Sequence, residues 1–515
     1  MSWQKEVVEI ERKRALALEL GGEDSVARQH AKNRQTVRER IAMLVDDGSF
    51  QEIGPGAGGA ERSEGGSLKS FTPANFVLGF ATIDQRRCVA GGEDFTVKGG
   101  SPNEAGLRKS VYAEQLALQY RVPLIRLHEG GGGSVGGTGS TSAGPPVFSG
   151  HRFRTVAETL SAVPVATAAL GPVAGLPASR LVAAHLSVMS KETAQVLVAG
   201  PAVVKRAIGE DMTKEELGGA QIHTRNGVID NAAEDEADAL GQIRHFLSYL
   251  PQNVWELPPV APCDDPRERR EEALLDIIPR ERRKLYNMWT LLGLVLDHNS
   301  FFEIGAGYGR GIITGLARMN GQPVGVLANN CRYLAGAMTA DGSHKVRRFV
   351  ELCETFHLPV LSFVDEPGFM IGSEAEKAAT IRHGTSAVLS VAACNVPWAS
   401  VVVRRSFGVA QAAHYGNGAY VLAWPSSESG PLPVEGGVAV AYGREIAVAP
   451  DPEARRRELE EQLAARQSPF PRAEAFSSHD IIDPRETRAR LCDWIEWTQP
   501  TLEALKGPSR FLLRP

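Results

Sequence analysis

Several features that would assign a class at once are missing from the sequence. Its six cysteines (Cys88, Cys263, Cys331, Cys353, Cys394 and Cys492) lie far apart, with no Cys-x-x-Cys pair. That excludes a zinc ribbon, a dithiol redox motif and a disulfide scaffold, and predicts buried free thiols. No Gly-Lys dipeptide occurs, so there is no P-loop, and there is no His-Glu-x-x-His. The twelve histidines are dispersed, and no metal is expected. Neither sign of charge dominates: 56 Lys and Arg against 61 Asp and Glu leave −5, which argues against nucleic acid and acidic membranes as partners.

The first residues, MSWQKEVVEIERKRALALEL, are charged and helical in pattern, so no signal peptide and a cytoplasmic setting are expected. Two runs without a charged residue, Thr159–Ser179 and Gly384–Val403, are long enough to cross a bilayer. Pro164, Gly171, Pro172, Gly175 and Pro177 break the first, and Asn395 and Pro397 break the second. Each therefore reads as helix, turn and buried parallel strand in a soluble core, with no membrane partner.

What is abundant is glycine, 53 of 515 residues, and it is clustered. The clusters lie in a duplicated chain. DGSFQEIG from Asp47 recurs as NSFFEIG from Asn299. GFATIDQRRCVAGGED from Gly79 recurs as GLARMNGQPVGVLANN from Gly315, each with the pattern of a β-hairpin. YAEQLALQYRVPLIRLHEGGGG from Tyr112 matches FVELCETFHLPVLSFVDEPGF from Phe349, a helix feeding a strand through proline. The offset, about 230 to 250 residues, is too long for a solenoid and means two homologous domains. Between the copies runs LSYLPQNVWELPPVAPCDDPRERREE from Leu247, whose five prolines read as a seam. The expected domains are 1–258 and 259–515, each an α/β layer. A second charge run, DPEARRRELEEQLAARQ, reads as a solvated helix face.

In such sheets ligands sit beyond the carboxyl ends of the strands, where the glycine turns fall. The candidates are Lys98-Gly99-Gly100, Glu129 to Gly133, Gly171 to Leu176, Pro367-Gly368-Phe369 and Phe407 to Ala410. Free N–H groups at such turns can hold an oxyanion. Gly132-Gly133-Ser134-Val135-Gly136 fits the nucleophile-elbow pattern, but the GGTGSTSAGPP that follows cannot supply the required helix. His383, ahead of Gly384, reads as a structural or pocket-lining residue rather than a general base. Duplicated backbone donors without a catalytic side-chain motif suit chemistry on the enolate of a thioester.

Several long segments in order now carry a resemblance: EDFTVKGGSPNEAGLRK, ALGPVAGLP, GYGRGIITGLARMNGQPVGVLANN, ADGSHKVRRFVELCETFHLPVLSFVDEPGFMIG, IRHGT and SFGVAQA. From about Arg38 to Arg485 the chain resembles the carboxyltransferase (β) subunits of biotin-dependent acyl-CoA carboxylases, the propionyl-CoA and methylcrotonyl-CoA carboxylase group. The resemblance implies two tandem crotonase-like domains in a homo-hexamer. The first domain takes acyl-CoA and the second takes carboxybiotin. It implies transfer of CO2 between them through enolates held in two backbone oxyanion holes.

Carried over by position, those holes fall at Gly175 and Leu176 for the acyl-CoA and at Val409 and Ala410 for biotin. Gly99, Gly100, Arg108, Lys109, Gly130, Gly131 and Ala412 fall on the acyl-CoA side, and Gly368, Phe369, His383 and Gly384 on the biotin side. Relatives often have Gly-Gly in place of Gly175-Leu176, glycine in place of Val409, and an acidic residue in place of Ala412, so an unusual acyl group is expected. No Met-Lys biotinylation pair and no ATP-grasp pattern occur, so biotin is expected on a separate biotin carboxylase and carrier partner. A decarboxylase component, a hydratase or isomerase, and a non-catalytic acyl-CoA-binding paralogue remain as alternatives.

Overall fold

A computed structural model describes residues 2–132 and 153–509, and the described chain parts after Glu256 into two compact units. Both are α/β, and the two sheets have the same strand order. In unit 1, Gln51–Glu52, Phe76–Ile83 and Arg86–Glu93 run antiparallel. Leu124–Gly130, Val165–Ala174, Leu186–Ser190 and Asn231–Ala233 continue the sheet in parallel. In unit 2 the same order runs Phe302–Glu303, Ile312–Met319, Gln322–Asn329, Val360–Glu366, Trp398–Phe407, Tyr420–Ala423 and Asp480–Ile481. The central strands Leu124–Gly130 and Val360–Glu366 are buried at every position, as apolar runs covered on both faces must be.

Both expected hairpins form. Their two central residues are left-handed, Asp84 and Gln85 in one and Asn320 and Gly321 in the other, as a tight turn matched to strand twist requires. Three of those four are not glycine, and each turn is held by an aspartate from outside it. Asp46 accepts the Asp84 and Gln85 N–H groups at 2.9 and 2.8 Å, and Asp297 accepts those of Asn320 and Gly321 at 2.9 and 2.7 Å.

The duplication extends to an irregularity. The central strand of each unit slips register near its carboxyl end, at His128/Gly130 and at Val364/Glu366. The residue inside each slip is a buried acid gripped by arginines. Glu129 meets Arg34 and Arg40 at 2.5 and 2.6 Å, and Asp365 meets Arg404 and Arg405 at 2.8 and 2.6 Å.

The two uncharged runs are helix and strand as expected: Arg154–Leu160 into Val165–Ala174, and Thr380–Ala393 into Trp398–Phe407. No described helix is long and apolar enough to cross a membrane. The later charge run is the helix Pro452–Gln467, capped by Asp451 and mostly exposed. Five cysteines are buried, Cys263 is half-buried, and none is in a disulfide.

Two turn expectations need correction. Gly171 and Pro172 do not turn, because their strand continues to Ala174 and pairs there with Gln195–Leu197. Gly171 is small for packing: a β-carbon there would stand 2.3 Å from the Glu129 carboxyl group. Glu129 and Gly130 likewise belong to the strand, not to the loop beyond it. The nucleophile-elbow match from Gly133 onward lies outside the described residues.

Candidate functional site

The strand Val165–Ala174 ends in Gly175, at φ 64° and ψ −127°, and a helix over Leu176–Val182 starts at once. In unit 2 the strand Trp398–Phe407 ends in Gly408, also at φ 64°, and a 3-10 helix runs over Val409–His414. Only glycine takes this reversal without strain. At Gly175 space demands it too, since a β-carbon would meet the Gly132 Cα at 2.6 Å. The amides opening each helix have no partner within it.

Below each turn one hydroxyl pins the helix to its strand. Thr167 Oγ1 donates to the Leu181 carbonyl and Ser400 Oγ to the His414 carbonyl, both at 2.7 Å. Leu176 and Val409 are thus equivalent. The next positions are not, for Pro177 has no N–H where Ala410 has one. Val409 is 66% exposed, and Leu176 forms part of the wall of a cavity of about 620 Å³. Ala412 sits half-buried on the short unit 2 helix.

Lys98, Gly99 and Gly100 are consecutive left-handed residues after the hairpin of unit 1. Leu334, Ala335 and Gly336 repeat them in unit 2 without the glycine pair that would have announced the turn. The Gly99 carbonyl accepts the Gly131 N–H at 3.2 Å. Pro367 stands in the place of Gly131, and the Ala335 carbonyl takes the Arg405 guanidinium at 2.7 Å instead. A β-carbon on Gly100 would meet the Glu129 carbonyl at 2.5 Å, and one on Gly130 the Gly100 carbonyl at 2.8 Å. Gly99, Gly100, Gly130 and Gly131 are therefore brought together as two interlocked bends.

Arg108 and Lys109 both border the 620 Å³ cavity. Arg108 is exposed and pairs with Glu104 at 2.6 Å along its own helix. Lys109 Nζ lies 3.3 Å from the Gly54 carbonyl and 3.7 Å from Glu52, and burial draws its pKa down.

In unit 2, Gly368, Phe369, His383 and Gly384 meet at one corner. Phe369 bridges to Met338, and its ring lies where a β-carbon on Gly384 would be 2.3 Å away. His383 Nδ1 is 2.5 Å from Nε2 of His344, a residue the sequence did not single out. Burial, then His383 and Arg347, hold the His344 pKa below the usual imidazole value.

Also unforeseen is the buried charge beneath Leu176. Arg126 donates to Ser110 and to Glu114 at 2.7 Å, and Arg180 Nε donates to the same Glu114 oxygen at 2.8 Å. Burial pulls the Arg126 pKa down to about 10 against the pull of Glu114. Beside them His128 Nδ1 lies 3.1 Å from Glu93. Burial opposes ionisation of Glu93, yet His128 and Arg126 keep its carboxyl below the usual range. Among the described residues, Glu114 Oε2 and His128 Nε2 are buried without a partner. Unit 2 has a different buried set, in which His414 lies between Ser362 at 2.9 Å and Glu366 at 3.4 Å.

Comparison with known proteins is consistent in both sequence and structure. The carboxyl transferase domain matches residues 28–506. The propionyl-CoA carboxylase carboxyltransferase subunit of Haloferax mediterranei is 36% identical, over 95% of each chain. The human mitochondrial propionyl-CoA carboxylase beta chain is 35% identical, over 94% of this chain and 89% of its own. The methylmalonyl-CoA decarboxylase subunit alpha of Veillonella parvula is 32% identical over 91% of both. Among solved structures, transcarboxylase 12S with methylmalonyl-CoA bound superposes with a TM-score of 0.86 at 31% identity. That match covers 99% of this chain and 97% of that one.

Proposed function

Because this chain belongs to the carboxyl transferase domain family, we propose that it moves CO2 from carboxybiotin, carried by a separate partner subunit, to an acyl-CoA. Unit 1 takes the acyl-CoA and unit 2 the biotin. The observation that carries the reading is the repeated turn, a left-handed glycine followed at once by a short helix, at the end of the equivalent strand of each unit.

Gly175 and Leu176 would offer N–H groups to the thioester oxygen, so that the charge of the acyl enolate develops against fixed donors. Val409 and Ala410 would offer theirs to the ureido oxygen of biotin. The turn is accessible there, with Val409 two-thirds exposed. Carboxybiotin supplies the CO2 and, once it has released it, the base for the α proton. The protein's own contribution is then placement and electrostatics, which is why no catalytic dyad is needed. The interlocked bends at Gly99, Gly100, Gly130 and Gly131 would receive the CoA portion, with exposed Arg108 beside it. Gly368, Phe369, His383 and Gly384 would line the biotin path.

The Veillonella relative is named as a decarboxylase subunit, and the same donors serve the reverse direction. We place the enzyme in a homo-hexamer, the assembly named for transcarboxylase 12S, and in the cytoplasm. The test is transfer from a carboxylated carrier protein to a panel of acyl-CoA thioesters. Transfer to at least one is expected, and none to any would reject the reading.

A further inference from the structure

Beneath its turn, unit 1 buries charge at positions where unit 2 is neutral. Counting from the equivalent helix caps Asn103 and Thr339, and from the shared strand registers, Glu114 corresponds to Val350 and Arg126 to Ser362. From Gly175 and Gly408, Arg180 corresponds to Ala413. Two sister frames with one turn geometry therefore differ in what lies under the turn, and only the acyl-CoA side has buried guanidinium groups there.

Arg180 is 4% exposed, one helical turn beyond Leu176, and both border the cavity of about 620 Å³. Its Nε is used on Glu114, but among the described residues its two Nη groups meet no acceptor. Other buried arginines of this unit spend theirs: Arg40 on Glu129, Glu236 and the Leu170 carbonyl, and Arg126 on Ser110 and Glu114. Arg180 is largely buried, and a bound acceptor would give this edge of its guanidinium a partner. With Nε occupied, the free edge is the Nη1–Nη2 pair, two parallel donors whose spacing matches the oxygens of a carboxylate. Glu114 takes Arg126 and the Arg180 Nε on one oxygen, Oε1, and its other oxygen meets neither Nη group of Arg180. The rest of the wall includes Leu107, Val111, Tyr112 and Leu176. The cavity thus has a largely apolar wall with Leu176 on it; among the described residues Arg180 is its one buried cation, and exposed Arg108 and half-buried Lys109 also border it.

We infer that Arg180 is a specificity-determining residue, selecting acyl-CoA thioesters whose acyl chain ends in a carboxylate. This rests on the proposed function, which puts the thioester at Leu176 and so directs the chain into the slot. The methylenes lie along the leucine and valine side chains, and the terminal carboxylate closes on the free guanidinium edge.

Calorimetry on the full chain tests it with two thioesters of equal chain length, glutaryl-CoA and pentanoyl-CoA. Wild-type protein binds glutaryl-CoA more tightly by about tenfold or more, as a buried charge-assisted pair implies. Arg180→Met erases that preference by weakening glutaryl-CoA while pentanoyl-CoA is unchanged, and Arg180→Lys restores part of it. If the single variant does not fold, Glu114→Gln/Arg180→Met removes the stranded carboxylate as well and gives the same loss. Equal wild-type affinities, tighter pentanoyl-CoA, or a preference that survives loss of the guanidinium overturns the inference while leaving acyl-CoA binding intact. Failure to bind either thioester overturns the proposed function along with it.

Discussion

Proline suits the first position of a helix and deletes one backbone donor there; at Val409 it removes only an exposed side chain, whereas at Leu176 it also alters the cavity wall. Leu176→Pro and Val409→Pro are each expected to lower kcat by about two to three orders of magnitude, with acyl-CoA affinity nearly unchanged in Val409→Pro. Steady-state transfer assays paired with calorimetry check this. At this scale the sequence was legible where glycine is required by conformation or space. Gly99, Gly100, Gly175 and Gly408 all sit at positive φ. It was not legible at Leu334 and Ala335, which adopt the same left-handed backbone with side chains attached. Arg180 and His344 escaped for a different reason. Their partners come from other elements, Glu114 on a separate helix and His383 beyond a strand and a turn, and no local spacing records such a meeting.

At the scale of the element, the hairpins show how a side chain substitutes for glycine. Left-handed Asp84 and Gln85 are held because Asp46 accepts both turn amides, and the Gln85 N–H and the Thr82 hydroxyl keep its carboxyl below the ordinary range. For Asp297 burial opposes ionisation, but the Gly321 N–H, Arg488 and the Asn320 N–H outweigh it and lower the pKa. Asp297→Ala is expected to destabilise unit 2 by about 3 kcal/mol, since it also strips a partner from buried Arg488. Asp46→Ala, in a wetter place, should cost about 1 kcal/mol. Because the folded pKa of Asp297 is lowered, its stabilisation is complete above its unfolded value near pH 4 and is lost as the pH falls through the folded one. The gap in melting temperature between wild type and Asp297→Ala should therefore be full at pH 6 and shrink below about pH 4. The hairpins themselves could be read from alternation around short polar turns. Their aspartate anchors could not, because the carboxylates lie some twenty to forty residues upstream of the turns they hold.

At the scale of the whole chain, the duplication was readable because packing fixes residue types at matched places, and both copies answer to the same sheet. What diverged is what a frame does not constrain: the buried ionic set under each turn. The proposed homo-hexamer predicts six copies of a 55.4 kDa chain, about 330 kDa, by light scattering on the purified protein. A mass near one copy would remove the proposed hexamer.

The grips on the two bulged strands have different origins. Glu129 is clasped by Gln29, Arg34 and Arg40, which arrive on the leading helical segment ahead of the first sheet strand. Asp365 is clasped by Arg404 and Arg405, which belong to the adjoining strand of its own sheet. The first lobe therefore owes the shape of its bulged strand end to a strap it does not contain within its sheet, whereas the second carries its own. Any event that peels that strap away, whether a nick, a competing partner or a truncation, would slacken the first unit and spare the second, giving the enzyme two halves that can fail separately.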